Sequence, residues 1–493
     1  MAVGHEVKEV KELKTLKHLH LLCTLLFGVA VLLFFGLAYP HHLHYQEQFQ
    51  LFLFDSAYVW DIIKLPGGVA DLLGRFCTQF FLYAWVGAII IALLLSAIQL
   101  LTLRLFIVHS SQFIVHSSQF IVHSLYGLSF VPSFLLWLFL LDENALLGGV
   151  WTVLLTLLAI CGCLLIPKGW GRRIVILVAV PIIYWMVGPN WSGTHYYRYP
   201  TVTPYLLYAA WLSAVLLPLM MRLVVRRKQP EGSSAGKHSL TTYLIPLTSF
   251  VLVAAVMGTL VWKNANFNAE KVMQYDFMAR HQQWNRILAT VSAERPNNQI
   301  GVTVQNLALA MHGLLADHLF DFNQNGTLGL LPDVQRDAMS PLPTAEAFYQ
   351  LGMIYVAQRT VFEAQEAILD FQKSGRCYKR LAQTNLIIGS YEVARKYLSA
   401  LQKTLFYRDW ANETLPLLGD EQAIAKHPEY GRLRQFACDK NYYFSDHVTP
   451  EMLETLFFSN TDNRLALEYL KAYYMLTGDR ENYSKLLLQL QKQ

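Results

Sequence analysis

Hydrophobic and polar positions divide this chain of 493 residues into two regimes. In the first, long apolar runs alternate with short polar breaks. The runs fall at residues 19–39, 80–103, 125–141, 149–166, 174–188, 204–223 and 240–262. A helix needs about 20 residues to cross a bilayer core, and some of these runs sit at the short end of that range. Beyond residue 263 the runs stop, and apolar residues recur at helical spacing among charges. The pattern predicts an all-α protein: a polytopic bundle of about seven membrane helices over 1–263, then a helical domain over 264–493.

The second regime repeats itself. In the stretch 345–374, Phe348, Leu351, Gly352, Tyr355 and Ala364 fall at the spacing of the tetratricopeptide signature. Tyr378, Leu381, Ala382, Gly389, Tyr391 and Ala394 repeat that spacing, at a step shorter than the usual period of about 34. Weaker echoes lie at 307–320, with Gly313, and at 464–488, with Leu470, Tyr474, Gly478 and Tyr483. Stacked helix pairs of this kind share one continuous core. The run Pro341-Leu342-Pro343 and the Asn325-Gly326 pair read as loops between pairs.

Composition agrees with a membrane protein. The chain is 54% hydrophobic and 15% charged, with mean hydropathy +0.29. The net charge of +5 is modest, and the basic residues gather at the ends of apolar runs rather than in a nucleic-acid patch. Arg104, then Lys168, Arg172 and Arg173, then Arg222, Arg226, Arg227 and Lys228 occupy alternate gaps. The intervening gaps carry Asp142 and Glu143, or the nearly uncharged loop 188–203. This is the positive-inside pattern. It predicts a multipass membrane protein with a cytoplasmic N-terminus and an extracytoplasmic C-terminal domain. Lys8, Lys11, Lys14 and Lys17 precede a first run of spanning length with no small-residue cleavage site, which reads as an uncleaved first helix. Of the six cysteines, Cys23, Cys161 and Cys163 lie in apolar runs, and Cys377 and Cys438 can pair only if their segments meet.

Candidate chemistry lies in two loops predicted on the same side. In the loop 41–81, Glu47, Asp55, Asp61 and Asp71 stand among aromatic residues. Glu47, close after the first run, and Asp55 are the catalytic candidates, as general bases or as holders of a phosphate-bound metal. Arg75 suits a phosphate or a carboxylate. Residues 49–54 read as a short helix in the membrane interface. In the loop 188–204, Trp191, His195, Tyr197 and Arg198 can build a pocket for a lipid-linked phosphate. The other reading makes each loop an interfacial aromatic belt, with solvated carboxylates in 41–81 and an anchoring arginine in 188–204.

Other features are less telling. FIVHSSQ is repeated in tandem over 106–124, with His109, His116 and His123 about 10 Å apart along a helix, too far for one metal ion. The stretch 321–332 begins like a calcium loop, but Pro332 stands where a bidentate glutamate belongs, so a glycine turn is the better reading. Over 264–493 no P-loop, G-x-S-x-G, H-E-x-x-H or zinc spacing is present, and the residues name no cofactor.

Three motifs carry a family likeness: EQFQLFLF at 47–54, PGG at 66–68 and FCTQFFLYAWVGA at 76–88. With the tetratricopeptide-like tail, they resemble an uncharacterised family of bacterial multipass membrane proteins. The plan is also loosely similar to that of GT-C-type membrane glycosyltransferases, which carry acidic residues in the first external loop and use polyprenyl-phosphate-linked sugars. That likeness implies an enzyme with a lipid-linked sugar substrate, although no paired acidic motif stands in the loop here. The second reading is a non-enzymatic membrane scaffold whose repeat domain binds an envelope protein or peptide.

Overall fold

The computed structural model describes residues 2–111, 126–167, 169–187, 204–227, 241–333, 341–368, 372–438 and 449–491. Their regular structure is helical, and among them no strand forms beyond an isolated bridge between Asn325 and Thr327. The chain divides into two compact units: Met1–Glu47 with Asp55–Phe267, and Gln48–Phe54 with Asn268–Gln493.

The first unit contains α1 (Ala2–Leu33), which runs into a π-helical turn at Phe34–Ala38, then α2 (Pro40–Glu47), α3 (Ser56–Ile63) and α4 (Gly68–Thr78). The long helix α5 (Ala84–Ser111) follows, then α6 (Val131–Phe139), α7 (Gly148–Leu165), α8 (Trp170–Val187), α9 (Tyr205–Arg227) and α10 (Thr241–Asn264). Among the described residues, four stretches are long and apolar enough to cross a membrane: Lys17–Ala38, Ala84–Val108, Gly148–Leu165 and Leu244–Asn264. Tyr126–Phe139 and Tyr205–Met220 are apolar but shorter. The further runs expected at 125–141, 174–188 and 204–223 carry α6, α8 and α9, of 9, 18 and 23 residues.

Aromatic packing and backbone contact hold this unit together. Phe27 meets Phe130, Phe134 and Trp137 edge-on, with ring centroids 5.5, 5.0 and 5.9 Å away. Helices α4 and α7 touch backbone to backbone, because a Cβ on Gly74 would lie 2.4 Å from the Gly148 nitrogen. A buried polar relay links three helical segments: the Thr24 hydroxyl donates to Gln99 Oε1 (2.8 Å), and Gln99 Nε2 donates to the Ser129 hydroxyl (2.9 Å). Lipid tails are as apolar as leucine, so such bonds and close packing carry much of helix association in a bilayer.

The second unit contains α11 (Phe267–Arg280), α12 (Trp284–Glu294), α13 (Gln299–Met311), α14 (Leu315–His318), α15 (Pro341–Leu351), α16 (Ile354–Glu366), α17 (Gly375–Ile387) and α18 (Tyr391–Leu401). It continues with α19 (Arg408–Thr414), α20 (Glu421–Lys426), α21 (Tyr430–Phe436), α22 (Thr449–Ser459), α23 (Arg464–Thr477) and α24 (Arg480–Leu490). Successive helices pack as pairs. Gly352 (φ +90°) joins α15 to α16 and Gly389 (φ +82°) joins α17 to α18, a left-handed turn that side chains with a Cβ resist. The shared core includes Leu307, Phe348, Leu351, Tyr430, Phe457 and Tyr469.

Two expectations change here. The Pro341-Leu342-Pro343 run is the first turn of α15 rather than a loop, as proline is tolerated where the N–H groups have no helical partner. Residues 49–54 are not helical: Phe49 is in a turn and 50–54 form no regular element, and the Leu51 and Phe54 N–H groups bond to carbonyls of the second unit. The stretch 321–332 is a turn: Gly326 has φ +61°, and the side-chain amides of Asn323 and Asn325 donate to the carbonyls of Arg295 and Asn297. Most of the FIVHSSQ repeat lies outside the described residues. Cys377 and Cys438 are both free thiols.

Replacing Gln99 by methionine removes both bonds of the relay and keeps the length of the side chain. Reversible unfolding in bicelles is expected to show a loss of about 0.6–1.7 kcal/mol.

Candidate functional site

The densest polar chemistry lies on one face of α17. This helix starts where the Ser374 hydroxyl accepts the Cys377 N–H at 3.1 Å. Cys377 and Leu381 then turn into an apolar cluster with Leu342, Ala345 and Val361. At i, i+3 and i+4, Arg376, Lys379 and Arg380 share the other face.

Arg376 is buried, its side chain 6% exposed. It grips Asp276 with two bonds, Nη1 to Oδ2 at 2.6 Å and Nη2 to Oδ1 at 2.8 Å. Nη1 also donates to Gln48 Oε1 at 2.6 Å. Burial opposes its charge, yet Asp276 and then Glu346 outweigh that and hold the guanidinium above its ordinary value. Arg380 donates to Glu346 Oε2 at 2.5 Å and stacks 3.6 Å above the centre of the Tyr349 ring. The Tyr349 hydroxyl donates in turn to Glu429 Oε1 at 2.9 Å. Arg280 donates to the Tyr407 hydroxyl at 3.0 Å.

Lys379 differs from its neighbours. Its ammonium sits 4.9 Å from the centre of the Trp410 ring, and among the described residues no carboxylate comes within ion-pair distance of it. Burial first, then Arg280 and Arg380, pull it down to about 8 from 10.5, against the opposing pull of Glu429 and Glu346.

The non-helical segment Gln48–Phe54 lies in the same unit. Its Leu51 N–H donates to the Lys373 carbonyl at 2.8 Å, and its Phe54 N–H to the Lys403 carbonyl at 2.7 Å. The Leu51 side chain enters a cluster with Ala382, Leu398, Leu401, Tyr407 and Ala411. The helices thus hold this stretch by main-chain bonds, one apolar pocket and one polar side chain.

The residues singled out from sequence are placed as follows. Glu47 is buried at the end of α2 and Asp55 stands at the start of α3, so the two bracket the segment 48–54. Asp55 Oδ1 accepts the N–H groups of Ala57 (3.0 Å) and Tyr58 (3.2 Å), which makes it a helix cap. Arg75 is held by Asp71, with Nε and Nη2 at 3.0 and 2.7 Å from Oδ2. Of its two sequence-based partners, the structure contains the carboxylate. Trp191, His195, Tyr197 and Arg198 lie outside the described residues. Among the described residues no group of three or more His, Cys, Asp or Glu side chains is arranged to hold a metal ion. Sequence reading passed over Asp276, Glu346, Arg376, Lys379 and Arg380. The signal available was the i, i+3, i+4 basic pattern in a helix whose other face carries the repeat positions Leu381 and Ala382.

One family model, described as a family of unknown function (DUF6057), matches residues 14–192 and 189–493. The chain belongs to DUF6057. No curated protein and no solved structure matches it. The match runs through both units, so α17 and the segment 48–54 fall within the DUF6057 region.

Two outcomes follow for this DUF6057 chain. Arg376→Met or Asp276→Leu alone leaves a buried charge unmatched, and each is expected to cost about 3–5 kcal/mol in equilibrium unfolding. The double substitution is expected to recover most of that loss. Lys379→Met removes an ammonium whose charging is opposed in the folded state. That opposition is fully present below pH 8 and fades as pH rises from about 8 to 10.5. The variant is therefore expected to be more stable by about 2 kcal/mol at pH 7, with the gain vanishing above pH 10.5 in a denaturation series.

Proposed function

We propose that this chain is a non-enzymatic, membrane-anchored scaffold of the bacterial cell envelope, whose tetratricopeptide-like domain binds an extended segment of a protein partner. The observation that carries this reading is the hold on Gln48–Phe54. A helical domain that takes main-chain N–H groups at Lys373 and Lys403 and a leucine among Leu398, Leu401 and Tyr407 has the means to hold a peptide.

Location and topology belong to the same proposal: an inner-membrane protein with about seven spans, a cytoplasmic N-terminus and a periplasmic second unit. The helix α8 supports the higher count. Its 18 residues measure about 27 Å, and Ile174, Leu177, Val180 and Ile182 are exposed, as lipid-facing side chains are. The glycosyltransferase-like reading draws on Glu47 and Asp55, and on lipid-linked sugar as substrate. Asp55 is engaged in capping α3 and Arg75 in holding Asp71, which favours the scaffold.

In a strain lacking this protein, the full chain carrying Glu47→Ala and Asp55→Ala is expected to restore the wild-type phenotype, with immunoblots confirming equal levels. A chain lacking 268–493 is expected to fail. Rescue by the shortened chain, or failure of the double variant at normal level, would sink the scaffold.

A further inference from the structure

We infer that the α3–α4 hairpin (56–78) lies flat in the headgroup region of a bilayer and anchors the first unit to the lipid surface through Trp60 and Leu65, an inference that rests on the membrane reading and deepens it. The ends of neighbouring helices fix its depth. In the turn between α3 and α4, the Gly67 N–H donates to the Trp185 carbonyl at 2.7 Å, two residues before α8 ends. Further along α4, Gly74 backs onto Gly148, the first residue of α7, where an added Cβ would lie 2.4 Å from the nitrogen. These two contacts are separated by about 10 Å along α4, at ~1.5 Å per residue, which matches the distance between packed helix axes. Helix α4 thus bridges the end of α8 and the start of α7 at one level. Helix α5 begins at that level too, after a single 3₁₀ turn at Gln79–Leu82. A Cβ on Gly36, near the end of the stretch Lys17–Ala38, would lie 2.6 Å from the Trp85 ring, so the first apolar stretch ends there as well. A segment that runs across the ends of four apolar helices lies along the surface of the membrane they cross.

The exposed side chains suit that depth. Trp60 is 66% exposed and Leu65 46%, one on each side of the Lys64 that ends α3. Phe76, Tyr83 and Trp85 are exposed as well, and the series runs on into Ile89 and Leu93 on the flank of α5, a helix of spanning length. An exposed apolar surface that continues into the flank of a spanning helix meets lipid rather than a soluble partner. Trp60 shares its face of α3 with Ser56, Ala57, Asp61 and Lys64. Asp61 and Lys64 pair at 2.5 Å, and Asp71 and Arg75 at 2.7 Å. Charges of this kind are costly in the acyl core and tolerated among headgroups, where tryptophan is favoured. Because the charges are paired within the hairpin, aromatic and apolar surface supplies the attraction, and anionic lipid is not required.

The test uses the full chain in nanodiscs, with an environment-sensitive fluorescent amino acid in place of Trp60, Leu65, Leu93 or Lys396, one position at a time, and circular dichroism to confirm the fold. The bilayers carry bromine either near the headgroup or near the end of the acyl chain. A probe at 60 or 65 is expected to be quenched roughly twofold more by the bromines near the headgroup, as fits a side chain about 5–10 Å into the headgroup boundary. A probe at 93 is expected to favour the chain-end bromines, and one at 396 to be quenched by neither. The quenching at 60 is expected to be the same in zwitterionic and anionic bilayers. No quenching at 60 and 65, stronger quenching there from the chain end, or quenching that needs anionic lipid overturns the interfacial hairpin. Such a failure, with the probe at 93 still quenched from the chain end, leaves the membrane reading standing. No quenching at 93 by either bromine removes the membrane reading itself.

Discussion

A guanidinium taken out of water must be matched where it lies, and Arg376 sets the terms for the second unit. Its partners come from distant parts of the chain. Asp276 is on α11, Glu346 on α15, and Gln48 in a segment 328 positions earlier. The energy of such a group lies less in what the pair contributes than in what is lost when one member is absent. The pairing therefore acts as a register device. If α11, α17 and the segment 48–54 are not in place together, a charge stays buried without its counterpart.

Around that fixed point the neighbouring cations have different freedom. Arg380 spends its hydrogen bonds on Glu346 and its flat face on Tyr349. Lys379, one residue away and on the same face, has an aromatic ring and, among the described residues, no carboxylate within ion-pair distance. The lysine is a compact charge on a flexible stem, and the planar fork of the arginine is fixed by the carboxylate it pairs with. Rigid pairing and a cation on an aromatic ring are thus separated by a single position along the helix.

Much of the architecture could be read from residues. The tetratricopeptide-like spacing located helix pairs because small and aromatic residues at those positions are what closely packed helices require, and Gly352 and Gly389 stand in the turns between them. The all-α class and the apolar helices followed from run length alone. The bounds of each apolar helix did not, because a hydropathy run does not reveal where a helix starts, as at Val131 after a 3₁₀ turn. The conformation of 49–54 was also hidden. Phe49, Leu51, Phe52 and Phe54 suit an interfacial helix as well as a buried non-helical segment, and only partners far along the chain decide between them. The site was less legible still. Arg376 and Lys379 look alike in sequence, and what separates them is the presence of Asp276 for one and not the other.

The second unit is not contiguous in the chain, and this has a consequence for its biogenesis. Gln48–Phe54 leaves the ribosome more than 200 residues before α11 and still further ahead of α17. Until those helices are made, a stretch reading QFQLFLF has no protein to cover it, between α2 and α3 of a nascent membrane segment. The final contact closes a very long loop, a slow and non-local step. Assembly of the helical unit is thereby tied to completion of the whole chain, and a product released early leaves an uncovered hydrophobic segment of the kind that quality-control proteases and chaperones engage.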